Sequence, residues 1–387
     1  MKKLLPIVLS LSLILALSAC GAQGGAAKTA SPISVTVQAV EQDCYSDDAA
    51  HSLLLKYSDD VPTVTIPGSD AAQSAVNLAL QKEVLSFKNG SGDGTDGLDA
   101  YLAMAKDEYS QSSDLFLSGS CYAMDRHVSV ARGDEAVLSF VYSAYINLHG
   151  AHGTSAVYSA NFDAATGAAL TIDDIADNAQ SLKDFCGNYL LTLAKGSDYA
   201  DVEFFDGCES TLKELAAGGS WYFSDKGLVF AASAGDIAPY AAGELRFTVP
   251  YDKLGSLLKQ NYLPRTVSGS AGDMSITGAS STANPETVGS VALDKDGQIF
   301  RLTASGELYG VTLSSVNYGE DGSFAQEGTK LYFSALGDGD TIGVQAVIPE
   351  GAPNLMVSWH NPDGTTVQKL ISQSGKDGSL LLIDNNS

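Results

Sequence analysis

AVLSFVYSAYINLHGAHGTSAVYSANFDAATGAALTIDDI, residues 136–175, reads as two long β-rich runs around a glycine-histidine turn, with a third short run after a second turn. In the first run Leu138, Phe140 and Tyr142 point one way and Val137, Ser139 and Val141 the other, the period of two that a strand requires. Residues 154–162 return after His149-Gly150-Ala151-His152-Gly153. Residues 163–167 turn the chain again, and residues 169–172 read as a short strand. A hairpin of this length needs partners on its edges and apolar cover on its faces, so the flanking segments should supply strands and amphipathic helices.

They do so on both sides. Toward the amino end, 115–124 and 127–131 read as strands, and Arg132-Gly133-Asp134 turns into the hairpin. Before them, Ala72, Val76, Leu80 and Val84 recur at spacing four after the capping residues Ser69 and Asp70, which predicts a helix ending by Asn89-Gly90. Leu98, Leu102 and Ala105 predict a second helix over 98–109. Residues 33–40, 52–57 and 61–66 are β-like runs. Toward the carboxyl end, Leu182, Phe185, Tyr189 and Leu193 predict a helix over 182–194, and 209–217 another. A hairpin over 221–223 and 228–232, a loop over 236–243, a strand over 245–249 and a helix over 251–262 follow. Residues 264–287 hold Ser, Gly, Thr and Ala with few large apolar residues and read as a linker. Beyond them the texture is wholly β, with Ile342, Val344, Ala346 and Ile348 alternating cleanly. The expected fold class is α+β: an antiparallel sheet with packed helices over 33–263, then a small all-β, sandwich-like domain over 288–387.

The amino terminus reads as a secretory signal over residues 1–19. Lys2 and Lys3 precede an apolar run over 4–17, too short for the ~20 residues of a spanning helix. Its Leu17-Ser18-Ala19-Cys20 ending resembles a bacterial lipobox. That resemblance implies cleavage before Cys20 and its lipidation by acyl chains such as palmitate, with a Gly/Ala-rich tether over 20–32. The expected location is the outer face of a bacterial cytoplasmic membrane. The formal net charge of −24 repels nucleic acid and anionic headgroups and favours cationic partners or plain solubility. Four further cysteines, Cys44, Cys121, Cys186 and Cys208, form an even set that in an exported chain suggests two disulfides. Cys186 with Cys208 could close a helical hairpin and Cys44 with Cys121 a second bridge, but all three connectivities stay open. No two of them have the C-x₂₋₄-C spacing of a zinc site.

The candidate chemistry is sparse. His149 and His152 could share a zinc with Asp163 or Asp173, but a His-x-x-His spacing is generic, and glycines on both sides fit strained turn chemistry, so no metal and no cofactor is expected. Pro239 and Tyr240 lie in a loop between strands, where a tyrosine can anchor a protein or glycan partner or pack the loop down. Asp294-Lys295-Asp296-Gly297 and Asp338-Gly339-Asp340 resemble calcium loops. The first has Thr303 where the closing carboxylate belongs, so hairpin turns are expected at both. No nucleophile elbow, phosphate loop or dinucleotide fingerprint occurs.

Several pieces of residues 33–263 resemble one family. The turn 149–153 is close to that family's Gly-Gly-Ala-His-Gly turn, with His149 standing where the family usually has Gly. Phe162-Asp163, Thr166-Gly167 and Leu170-Thr171 resemble its FD-x-x-TG-x-x-LT hairpin. Trp221-Tyr222-Phe223 with Lys226-Gly227-Leu228, and Ile237-Ala238-Pro239-Tyr240-Ala241-Ala242-Gly243, resemble its carboxyl-terminal hairpin and loop. The set resembles the extracellular domain of RsiV-type anti-sigma factors, which sense lysozyme, and domains of unknown function found beside peptidoglycan deacetylases and in bacterial lipoproteins. The resemblance implies a non-enzymatic, envelope-facing binding role, with a protein or glycan of the cell envelope, lysozyme included, as partner. The alternative is a cell-wall glycan hydrolase using paired carboxylates from Glu203, Asp206 and Glu209.

Overall fold

The computed structural model describes residues 31–265, 267, 269–284, 286–319 and 323–385; the expected signal peptide, Cys20 and most of the tether lie outside the described residues. In chain order the elements begin with β1 (Ser34–Tyr45), β2 (Leu53–Thr65), α1 (Asp70–Asn89), α2 (Leu98–Gln111) and α3 (Asp114–Leu117). Next come β3 (Tyr122–Gly133), β4 (Val137–Asn147), β5 (Thr154–Asp163), α4 (Ala179–Leu193) and α5 (Cys208–Gly218). They are followed by β6 (Trp221–Phe223), β7 (Gly227–Ala232), β8 (Leu245–Pro250) and α6 (Tyr251–Leu254). The rest is β9 (Asp273–Gly278), β10 (Thr287–Ala292), β11 (Gln298–Ser305), β12 (Leu308–Tyr318), β13 (Phe324–Leu336), β14 (Thr341–Ala346), β15 (Leu355–His360), β16 (Thr366–Gln373) and β17 (Leu380–Asp384).

The fold is α+β with an all-β carboxyl-terminal region. Ten strands run β17-β16-β15-β12-β13-β1-β2-β3-β4-β5, beside a four-stranded sheet β10-β14-β11-β9 and a three-stranded sheet β6-β7-β8. Most pairs are antiparallel, but β2 with β3 and β10 with β14 are parallel. β1 and β13 share only Ser34–Thr36 against Phe333–Leu331, so the strand pairing that joins the two halves of the large sheet is three residues long.

Alternation on β4 positions the layers. Leu138, Phe140 and Tyr142 pack with Ala72, Val76 and Leu80 of α1. Val141 packs the other way, with Val157 and with Tyr222, Val229 and Ala231 of the small sheet. That sheet turns its second face, Phe223, Leu228, Phe230 and Phe247, onto Leu182, Cys186 and Leu190 of α4 and Leu212 and Ala216 of α5. β7 is therefore buried at all six positions. Each fully buried phenylalanine contributes about 2–3 kcal/mol of transfer free energy. In the carboxyl-terminal region Phe300, Leu302, Ile342 and Val344 face Leu313, Leu331, Val357 and Trp359, two sheets packed across one core.

Four local expectations are corrected. Residues 115–124 do not start a strand. Phe116 alone turns in while Leu115 and Leu117 stay exposed, and α3 precedes a single long β3. The helix expected over 251–262 stops at Leu254, because Gly255 adopts φ +51°, and two short helical turns replace it. The stretch read as a linker contains β9, which pairs with β11. The expected disulfides are not formed: Cys44, Cys121, Cys186 and Cys208 are all free. Cys44 pairs with Leu55 on β2, and Leu55 pairs with Tyr122, the neighbour of Cys121. Two strand spacings, about 9.5 Å, exceed the reach of a disulfide. Gly187 of α4 faces Lys213 and Ala216 of α5, so Cys186 lies level with residues five to eight positions beyond Cys208. That is roughly 8–12 Å along the helix axis.

Candidate functional site

The β4–β5 tip sends its two histidines in different directions. His149 has φ +59°, a left-handed conformation that glycine adopts at little cost. Its ring is buried against Phe116 and Tyr122, at centroid distances of 4.7 and 5.0 Å. Nδ1 lies 3.2 Å from Glu108 Oε1 and Nε2 3.1 Å from Ser120 Oγ. The Tyr122 hydroxyl donates to Glu108 Oε2 at 2.7 Å, and burial together with this carboxylate pushes the phenol up to about 12. His149 is thus a packing residue that ties the tip to α2 and α3.

His152 lies on the outside and stacks on Tyr240, with ring centroids 4.4 Å apart and planes 20° from parallel. The Tyr240 hydroxyl is 2.9 Å from Ser155 Oγ on β5, so the ring is held at both ends. Tyr240 is half-buried and Pro239 exposed. His152, Pro239 and Tyr240 are candidates from sequence; Ser155 and Tyr145 are not. Tyr145 shares the face of Val141 on β4, is 37% exposed, and covers Gly153 so closely that a Cβ there would meet its ring at 2.3 Å. Its odd position, two pairs beyond Val141, was the available signal. Tyr145 at the end of β4, His152 in the β4–β5 turn, and Pro239 and Tyr240 in the β7–β8 loop form a ledge of three aromatic rings and a proline. Phe205, 45% exposed, adjoins it through its backbone N–H, which donates to the Ile237 carbonyl at 2.9 Å. No periodicity marked it.

The carboxylates weighed from sequence do not converge. Asp163 accepts from Thr166 within its own turn, and Asp173 pairs with Lys183. Glu203, Asp206 and Glu209 are all exposed. Asp338 and Asp340 accept from the backbone N–H groups of Gly306 and Gly337, and Asp294 from that of Val347. The hairpin turns expected at both stretches are not formed: 337–340 passes from one sheet to another between β13 and β14, and 293–297 joins β10 to β11 across the intervening β14. Among the described residues no group of three or more His, Cys, Asp or Glu side chains could hold a metal. No described helix is long and apolar enough to cross a membrane. A cleft of about 360 Å³ lies beside Asp134, Glu135, Asp163 and Arg265. Asp134 pairs with Arg132 and Glu135 with Arg265, and Asp163 accepts from Thr166 and from the Tyr262 hydroxyl.

Two charge groups join β2 and β3, one fully buried and one partly exposed. Arg126 and Asp59, both fully buried, form a two-pronged pair at 2.8 Å on each arm, with Arg126 also donating to Tyr158 and to the Glu83 carbonyl. Burial pushes the Asp59 carboxyl up against the opposing pull of Arg126. His127 lies between Asp125 and Asp60, whose carboxylates raise it to about 10.

Residues 170–252 match the profile of a family described as a protein of unknown function, DUF3298. The match takes in α4, α5, the β6–β8 sheet and Pro239 and Tyr240, and stops short of the β4–β5 tip. Two solved structures are similar to the chain. A DUF3298 family member from Bacteroides fragilis is 17% identical with a TM-score of 0.40, over 60% of this chain and 96% of that one. A DUF3298 family protein from Pseudomonas aeruginosa is 15% identical with a TM-score of 0.40, over 61% of this chain and 99% of that one. Comparison with curated proteins returns no match.

Proposed function

We propose that the chain is a lipid-anchored, extracytoplasmic binding protein of RsiV type that captures a protein or glycan of the cell envelope, lysozyme included, without catalysing a reaction. The observation that carries this reading is the His152–Tyr240 stack, 4.4 Å between centroids and tethered to Ser155. Exposed aromatic rings held rigidly lose little rotamer freedom on binding, which makes them good anchors. The net charge of −24 supports a cationic partner through faster, steered encounter.

Capture of lysozyme and of envelope extracts by the full chain tests the reading. Tyr240→Ala should weaken capture by about thirtyfold, the cost of a hot-spot residue of ~2 kcal/mol. The melting temperature should hold, because the ring is only half-buried. Capture that survives both Tyr240→Ala and His152→Ala would sink the proposal, as would sugar release from peptidoglycan. Replacing Cys20 by Ser should release the chain from the membrane fraction if the anchor is as proposed.

A further inference from the structure

β1 has a second, open edge. β13 pairs with it only as far as Thr36 and then leaves. The departure follows Leu331, where β13 shifts register against β12 twice, from Leu331 to Thr329 and from Thr329 to Glu327, with Gly328 in the second shift at φ +57°. Between Leu331 and Gly328, Thr329 Oγ1 accepts from the Val130 N–H at 3.0 Å and Lys330 reaches Asp60 at 3.4 Å, so β13 is drawn toward β2 and β3. From Gln38 to Asp43, β1 keeps its pairing with β2 but has no neighbour on its other side among the described residues, and all six residues are exposed. Six residues of free strand span roughly 20 Å.

The side chains on this edge select an occupant. Glu41 and Asp43 lie two residues apart on one face, with Val40, 42% exposed, and Gln42 on the other. Asp43 accepts from the Tyr45 hydroxyl at 3.2 Å and has Lys56 of β2 opposite it in the register, whereas Glu41 faces Ser58 and has no basic residue across from it. A second copy of the chain would set Glu41 and Asp43 near their own counterparts under a net charge of −24, which disfavours self-pairing. We infer that the β1 edge over residues 38–43 is an interaction surface, separate from the aromatic ledge, that takes an extended lysine- or arginine-bearing segment of another protein by strand addition. Main-chain hydrogen bonds supply affinity, and basic residues at alternate positions meet Glu41 and Asp43.

The probe is an alternating lysine–threonine hexapeptide, with a glutamate–threonine hexapeptide as control, titrated into the full chain. Hydrogen exchange at saturation should slow at residues 38–43 and nowhere else. The double variant Glu41→Lys/Asp43→Lys should bind the lysine peptide about tenfold more weakly. Glu209→Lys/Glu214→Lys, an equal charge change on exposed positions of α5, should leave affinity unchanged. Exchange that is unaltered at 38–43, or equal weakening by both double variants, reduces the effect to diffuse charge attraction and overturns the inference. Equal binding of the glutamate peptide does the same.

Discussion

At the scale of single residues the tip shows how a side chain can hold a backbone that its own chemistry disfavours. His149 adopts φ +59°, which costs a residue with a Cβ about 1–2 kcal/mol relative to glycine. Its ring recovers this through Phe116, Tyr122, Glu108 and Ser120. His149→Ala keeps the strain and loses the contacts, and should lower stability by about 2 kcal/mol. His149→Gly loses the same contacts but relieves the strain, and should cost about 1 kcal/mol less than the alanine. Urea midpoints at constant slope check both, and an alanine no worse than glycine would contradict the account. The pair His149 and His152 was visible in the sequence, but the directions of the two rings were not. The turn conformation that separates them depends on α2 and α3, which arrive from far along the chain.

Among elements, the clearest sequence signals were period two on β4 and spacing four on α1, because both faces of β4 and one face of α1 meet apolar cores. The fork between β2 and β3 was illegible. Their pairing covers only Leu55–Asp59, after which α1 replaces β3 at the edge of β2. Asn77 Oδ1 accepts from the Val64 N–H and its amide donates to the Val64 carbonyl, both at 2.8 Å, while Gln73 accepts from the Ile66 N–H at 2.9 Å. A helix side chain standing in for a strand leaves no periodic trace. Asn77→Asp keeps the acceptor but offers no donor to Val64, and should cost ~1–3 kcal/mol in thermal or urea unfolding. In the same fork His127 is raised to about 10, chiefly by Asp125 and then Asp60. Because the folded value lies above the unfolded value of roughly 6.5, this stabilisation is complete below that pH and fades as pH rises toward 10. Stability should therefore decline between pH 7 and 9 in the parent chain, and His127→Gln should flatten that slope.

For the whole molecule the question is whether the two halves of the large sheet unfold together. The all-β texture after residue 288 was readable from alternation, as in Ile342, Val344 and Ala346, whereas its attachment to the rest was not. That attachment rests on a few long-range contacts. β13 pairs with β1 over three residues, and residues 31–387 form one compact unit. Tyr332 of β13 is buried in the core of α1 and β4, where its hydroxyl donates to the Gly133 carbonyl at 2.7 Å and accepts from the Gly133 N–H at 3.0 Å. His360 of β15 pairs with Asp225 in the β6–β7 turn. The chain supplies its own reporters, since its two tryptophans divide between the halves: Trp221 in the core of α4 and α5, Trp359 in the carboxyl-terminal core. With Trp221→Phe or Trp359→Phe, each remaining tryptophan follows one half. If the contacts couple the halves, both probes should give one midpoint in urea. Tyr332→Phe removes two hydrogen bonds, about 2 kcal/mol, and should shift both midpoints down together. Separate midpoints, or a shift confined to one tryptophan, would mean that the β1–β13 overlap joins two independently folding bodies.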